Sequence, residues 1–149
     1  MKFQRAGVLD AAMVEAMTHL AYGKWVPVLG RLPKPMTADY REVVRHHVVE
    51  LLVNDSGTVV GLVELIPQAD HWLIENVVVD PAEQGKGYGS RLVQHAEELV
   101  RAAGLQLIRL YTNKLFAENI ALYLKLGYGI DREEPFKGGF LVHMSKGLG

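Results

Sequence analysis

The sequence predicts an α/β (α+β) fold: a mixed, largely antiparallel central sheet of about seven strands with helices on both faces. Two observations predict it. Three strand-like runs, Val48–Val53, 58–66 and 71–79, follow one another through short links, which suit an antiparallel meander. On either side of that meander the apolar period changes between about 2, the strand period, and about 3.6, the helical one, giving strand–helix–strand units.

Residues 2–6 read as a first strand. Asp10 is placed as the N-cap of the first helix, its carboxylate accepting from free backbone amides, and Met13, Val14, Met17, Leu20 and Ala21 follow at helical spacing. The prolines and glycines of 22–35 end that helix, and Thr37 caps a second running to about Arg45. In the meander, Asn54-Asp55-Ser56-Gly57 turns the first hairpin and Asp80-Pro81 closes the last strand. Leu92, Val93, Ala96, Leu99, Val100 and Ala103 form the stripe of a third helix, with Gly104 where a C-cap belongs. A strand over 105–112 leads to a fourth helix bearing Phe116, Ile120, Tyr123 and Leu124 on one face, stopped by Gly127. Two strands near 128–132 and 140–145 flank a Pro135/Gly138-Gly139 turn. No repeat, low-complexity tract or linker interrupts, so 1–149 read as one domain.

Composition narrows the function. Hydrophobic residues are 49% and charged residues 22%, as in ordinary globular domains. A net charge of −1 lacks the basic excess of a nucleic-acid partner. The absence of cysteine removes disulfides, thiolate metal sites and a cysteine nucleophile. The six histidines show no metal pattern, so no metal is expected; His46-His47 read as a helix end facing the negative dipole. The start has no apolar leader and no run approaches the roughly 20 apolar residues of a membrane span. The expectation is a cytoplasmic protein with no membrane partner.

The most informative segment is Val77-Val78-Val79-Asp80-Pro81-Ala82-Glu83-Gln84-Gly85-Lys86-Gly87-Tyr88-Gly89-Ser90. A buried strand runs into a glycine-rich turn that opens an amphipathic helix. The first amides of a helix have no internal partners and sit at the positive end of its dipole. Glycines let a phosphate approach the backbone closely, so the geometry suits a pyrophosphate, with Lys86 adding charge at the rim. The bland alternative is a strand-to-helix turn whose glycines only satisfy backbone angles. A Walker loop is absent, and the spacing Gly85-x-Gly87-x-Gly89 is not the dinucleotide fingerprint.

Gln84-Gly85-Lys86-Gly87-Tyr88-Gly89 resembles the Arg/Gln-x-x-Gly-x-Gly/Ala motif of the GNAT acetyltransferases, with Gln84, Gly87 and Gly89 at its defining positions. Asn119-Ile120-Ala121-Leu122-Tyr123-Leu124-Lys125-Leu126-Gly127-Tyr128 is similar to the same family's Asn-x-x-Ala-x-x-x-Tyr segment and the Gly-Phe/Tyr after it. The order of elements matches along nearly the whole chain. The resemblance implies acetyl-CoA as cosubstrate, bound where the fourth and fifth strands splay apart. It implies that the backbone at Val77, Val78 and Val79 holds the pantetheine arm. The loop from Gln84 through Ser90 takes the pyrophosphate. An acceptor amine then attacks the thioester directly, without an acyl-enzyme. Dimers are common in the family, which makes a homodimer possible here; no apolar stripe marks an interface.

Aminolysis needs a neutral amine, a donor for the oxyanion and a proton for the thiolate. A backbone amide of Val77 or Val78 suits the oxyanion. At the position of Tyr123 the family's tyrosine often lies near the thioester sulfur, which implies a general acid; by spacing alone Tyr123 reads equally as a core aromatic. Asn119, one turn earlier, is assigned to the cofactor side. Glu75 is the candidate general base, placed by alternation on one face with Leu73, Val77 and Val79, with Glu64 or ordered water as alternatives. For the acceptor, the 22–36 connection offers Tyr22, Trp25 and Arg31, which suit a small polar ligand with an apolar part, Arg31 holding a carboxylate; Trp25 and Met36 read equally as packing. Asp39, Tyr40, Glu133 and Glu134 stand close by. The expected function is an N-acetyltransferase moving acetyl from acetyl-CoA to a primary amine of a small-molecule acceptor. A protein N-terminal or lysine acetyltransferase, and a catalytically silent acyl-CoA sensor, are the alternatives.

Overall fold

The computed structural model describes residues 1–149. Seven strands form one sheet in the order β1-β2-β3-β4-β5-β7-β6. They are β1 (Lys2–Arg5), β2 (Val48–Val53), β3 (Val59–Pro67), β4 (Trp72–Val79), β5 (Leu107–Asn113), β6 (Gly129–Phe136) and β7 (Gly139–Gly147). Every neighbouring pair is antiparallel except β4 and β5, which run parallel across the crossover helix between them. The helices are α1 (Ala11–Tyr22), α2 (Val26–Leu29), α3 (Tyr40–His46), α4 (Tyr88–Ala102) and α5 (Ala117–Lys125). No helix is long and apolar enough to cross a membrane.

Alternation along the strands builds two cores, one on each face of the sheet. Val49, Leu51, Leu62 and Val78 point to α1 and α3, where Val14, Tyr40, Val43 and Val44 meet them. Leu52, Val63, Leu65, Ile108, Leu110 and Met144 point the other way, to α4 and α5. On α4 the buried stripe is Leu92, Val93, Ala96 and Val100, each fully buried. The helix ends as expected: Leu105 N–H bonds Val100 O, Gly104 N–H bonds Arg101 O, and Gly104 takes φ +80°. A buried clip ties this face together. Glu97 accepts from Tyr128 Oη at 2.8 Å and from Lys146 Nζ at 3.0 Å.

Some local expectations are corrected. The Asp10 carboxylate accepts from Gly7 N–H behind it and caps no amide of α1, because a turn of 3-10 helix at Val8–Asp10 precedes that helix. Asp39, not Thr37, caps α3 by accepting from Arg41 N–H at 3.1 Å; Thr37 Oγ1 donates to Lys34 O. The 22–36 connection is not open loop but contains α2, closed by Gly30 at φ +70°. The last hairpin turns at Lys137-Gly138, where both residues have positive φ. Pro135 lies inside β6, tolerable because β6 is an edge strand with one side free of ladder bonds.

Candidate active site

β4 and β5 pair only through Trp72, Leu73 and Ile74, matched to Ile108, Arg109 and Leu110. Beyond Ile74 the two strands separate, and residues 75–79 present one unpaired backbone edge to the gap. Which groups face that gap follows from the β3 ladder. Asp80 N–H donates to Val60 O, so Val78 and Asn76, in register with Leu62 and Glu64, turn their amides to β3. Val77 and Val79 therefore aim N–H and C=O into the gap. Of the two amides expected to meet an oxyanion, Val77 has this orientation and Val78 does not. The side chain of Val78 is fully buried in the α1–α3 core. Gly61 lets β3 approach β4 here: a Cβ on it would stand 2.8 Å from Val78 O.

Glu75 occupies a β-bulge. Glu64 pairs with Asn76 and Leu65 with Ile74, leaving Glu75 with no residue opposite. The bulge corrects the expected face. Ile74 belongs to the α4 side, Val78 to the α1 side, and Val77 and Val79 pack against the α4 side, so strict alternation fails across Glu75. Its carboxylate is instead aimed at the mouth of the gap. There Lys34 Nζ lies 3.1 Å away and Tyr111 Oη donates to it at 3.4 Å. Lys34 also donates to Tyr111 Oη at 2.9 Å. That bond first, and Glu75 next, hold the Lys34 ammonium well above the usual lysine range. Beside Glu75, Asn76 Oδ1 accepts from Tyr22 Oη at 2.5 Å, while Asn76 Nδ2 is buried without a partner. Glu64 is one layer deeper. Burial lifts its carboxyl above the usual range, opposed by the 2.6 Å hydrogen bond to His47 Nδ1. His47 is thus hydrogen-bonded to Glu64, and His46 to Glu42.

The gap continues into a cleft of about 260 Å³ between the glycine loop and α5. Gly85 and Gly87 have φ +82° and +81°, and nothing lies within 4 Å of where a Cβ would be on either. The first helical bond of α4 is Arg91 N–H to Gly87 O, so the amides of Tyr88, Gly89 and Ser90 precede the ladder and are free for an anion. Gln84, Gly85, Gly87, Tyr88, Gly89, Asn119 and Tyr123 all line the cleft. The side chains of Lys86 and Ser90 do not; Lys86 pairs with Glu83 at 2.7 Å. Tyr123 is 6% exposed, with its ring set edge-on to Tyr128 at 5.6 Å. Burial alone pushes its phenol upward, so it stays a proton donor at neutral pH.

A second cavity of about 680 Å³ opens on the other side of Glu75. Leu29, Arg31, Lys34 and Pro35 from the 22–36 segment form one wall, and Phe136, Lys137 and Leu141 from the last hairpin form another. Tyr22, Glu75, Tyr111 and Thr112 line both cavities and form their junction. Trp25 is not in the wall; it stacks on Phe116, which is, with ring centroids 4.5 Å apart. Glu134 faces this cavity, bonded to His143, whereas Glu133 pairs with Lys114. Tyr111, Thr112, Lys34 and Lys137 escaped the sequence reading. Tyr111 and Thr112 sit where a strand passes from ladder to gap, and no residue pattern marks that point.

A family model described as the acetyltransferase (GNAT) family matches residues 14–128. An IAA acetyltransferase of Azospirillum brasilense is 32% identical over 92 residues, covering 60% of this chain and 60% of the relative. An aminoalkylphosphonate N-acetyltransferase of Salmonella typhimurium is 37% identical over 79 residues, covering 49% and 51%. The chain thus spans little more than half the length of these curated relatives. Among solved structures, an IAA acetyltransferase from Bacillus cereus superposes with a TM-score of 0.75 at 20% identity, covering 99% of each chain. An aminoglycoside 6'-N-acetyltransferase from Enterococcus faecium gives 0.73 at 20% identity, covering 99% of this chain and 97% of its own. The splayed parallel strands, the glycine loop at the head of α4 and the matched span together show that this chain belongs to the GNAT acetyltransferase family.

Proposed function

We propose that the protein is an N-acetyltransferase that moves acetyl from acetyl-CoA to a primary amine of a small-molecule acceptor by direct attack in a ternary complex. The observation that carries this reading is the junction: the cleft and the second cavity meet at Glu75, Tyr22, Tyr111 and Thr112. Donor and acceptor entering from opposite sides would meet there without a covalent enzyme intermediate.

Each step has a residue suited to it. The amides of Tyr88, Gly89 and Ser90 and the open space over Gly85 and Gly87 suit a pyrophosphate. The edge groups of Val77 and Val79 hydrogen-bond an extended pantetheine as a further strand would. Val77 N–H stabilises the oxyanion as the amine adds to the thioester carbonyl. Glu75 takes the proton the amine loses, and Tyr123 gives one to the departing thiolate. A peptide acceptor calls for an open groove, and the walls from the 22–36 segment and the last hairpin oppose that reading.

The test is a calorimetric titration with acetyl-CoA and desulfo-CoA of wild type and Gly87→Trp. Micromolar-range binding by wild type and none by the variant is expected. An indole on Gly87 fills the space a phosphate needs. No binding by wild type would overturn the assignment. Binding with no turnover on an amine library would leave the catalytically silent sensor as the better reading.

A further inference from the structure

The second cavity has two chemically different ends. Its inner end is an anion, Glu75, and the cation already placed against it is an ε-ammonium, that of Lys34, at 3.1 Å. An alkylammonium therefore has a ready partner at the junction. Lys34 is on a short turn with its side chain 64% exposed, so it can swing aside for a ligand amine.

The outer end is cationic. Arg31 and Lys137 stand over the ring of Phe136, at 5.6 and 5.2 Å from its centroid. Both line the cavity, and neither has a carboxylate within salt-bridge distance, although acids elsewhere around the cavity do find partners. Lys137 also holds φ +47°, a left-handed conformation normally left to glycine or asparagine. The hairpin turn it forms with Gly138 puts this lysine in the cavity lining beside the Phe136 ring that Arg31 also covers. The same cavity also carries the apolar side chains of Leu29, Phe116 and Leu141 among its polar lining.

We infer that the acceptor is a zwitterion: a small primary amine joined through an apolar segment to an anionic group, carboxylate or phosphonate. Arg31 and Lys137 hold the anion, and the amine replaces Lys34 at Glu75. The inference rests on the proposed acetyl transfer and specifies its acceptor.

The experiment compares matched acceptors with and without the anion: phenylalanine against phenethylamine, 5-aminopentanoate against pentylamine, and 3-aminopropylphosphonate against 3-aminopropan-1-ol. Initial rates of CoA release are measured at fixed acetyl-CoA for wild type, Arg31→Met and Lys137→Met, with acetyl-CoA binding followed by calorimetry. In wild type, kcat/KM should favour at least one acid over its neutral match by about tenfold or more, a margin that shrinks as salt is raised. Each variant should reduce that ratio by about tenfold while acetyl-CoA affinity stays as in wild type. The carboxylate and phosphonate arms tell the two anions apart. Equal use of acids and neutral amines, a preference for the neutral partner, or variants that leave the ratio unchanged would overturn the inference while the acetyl-transfer reading stands. Acetyl-CoA binding with no acceptor used in any arm also overturns it. Failure to bind acetyl-CoA removes both.

Discussion

Tyr123 and Glu75 differ in how far a sequence can place them. Tyr123 sits on a helix, where spacing fixes the face, and its ring packs on Tyr128 as a core aromatic while it also lines the cleft under the glycine loop. The packing reading of that residue describes a contact in the structure, and the functional reading rests on its place in the cleft lining. Tyr123→Phe keeps the packing and removes only the proton donor. We expect kcat to fall about 100-fold, with the thermal midpoint moving by less than about 3 °C; a comparable loss of stability would make the hydroxyl structural. Glu75 lies on a bulge, and a bulge is invisible in a residue pattern because it depends on the partner strand. Glu64 gives a pH test. Its folded pKa is raised, so its contribution to stability is complete below the ordinary value of 4.5 and is lost as pH rises through the folded value. Glu64→Gln removes that loss. Urea midpoints should shift in favour of the variant between pH 4 and pH 8; a difference independent of pH would show that Glu64 is not destabilised by ionisation.

At the scale of elements, the approach of β3 to β4 and the head of α4 set the site. Gly61 is the narrow point. Gly61→Ala would drive a methyl into Val78 O at 2.8 Å, so the strands must move apart. A loss of about 1–3 kcal/mol is expected from chemical denaturation, together with weaker acetyl-CoA binding because Val77 and Val79 shift with β4. Unchanged stability would mean that the ladder relaxes freely. Gly87 separates angle from space. Gly87→Ala has room for its methyl but must hold φ +81°, which costs about 1–2 kcal/mol of stability. That variant should bind acetyl-CoA more weakly than wild type yet more tightly than Gly87→Trp. The α4 stripe and its Gly104 cap were legible because a helix carries its own period and stop signal. The Asp39 cap of α3 and the extended β6–β7 hairpin were not. Several polar residues before α3 compete to cap it, and Pro135 is acceptable in a strand only at an edge.

For the whole molecule, the two halves of the site come from distant parts of the chain. Residues 22–36 and 134–143 wall the second cavity, proposed for the acceptor, and 75–89 with 118–123 wall the cleft proposed for the donor. A cosubstrate that spans β4, α4 and α5 should stabilise the fold as one unit. At a hundred times its dissociation constant, acetyl-CoA should add about 2.7 kcal/mol and raise the thermal midpoint by roughly 5–10 °C. Gly87→Trp should show no such rise, and a rise in that variant equal to wild type would place the pyrophosphate elsewhere.

The sequence by itself determined the sheet-and-helix architecture, the glycine-rich turn that opens α4 and the family, because each is written in local periods and contiguous motifs. Only the tertiary structure decided where β4 leaves β5, which amides face the gap, and that Glu75 bulges toward Lys34 and Tyr111. It also decided that Arg31 and Lys137, far apart in sequence, flank the same ring, and that Trp25 packs on Phe116 rather than lining the cavity. These are relations between strands and between loops. A strand's register and a cavity's walls depend on which segments become neighbours, and no single segment carries that information.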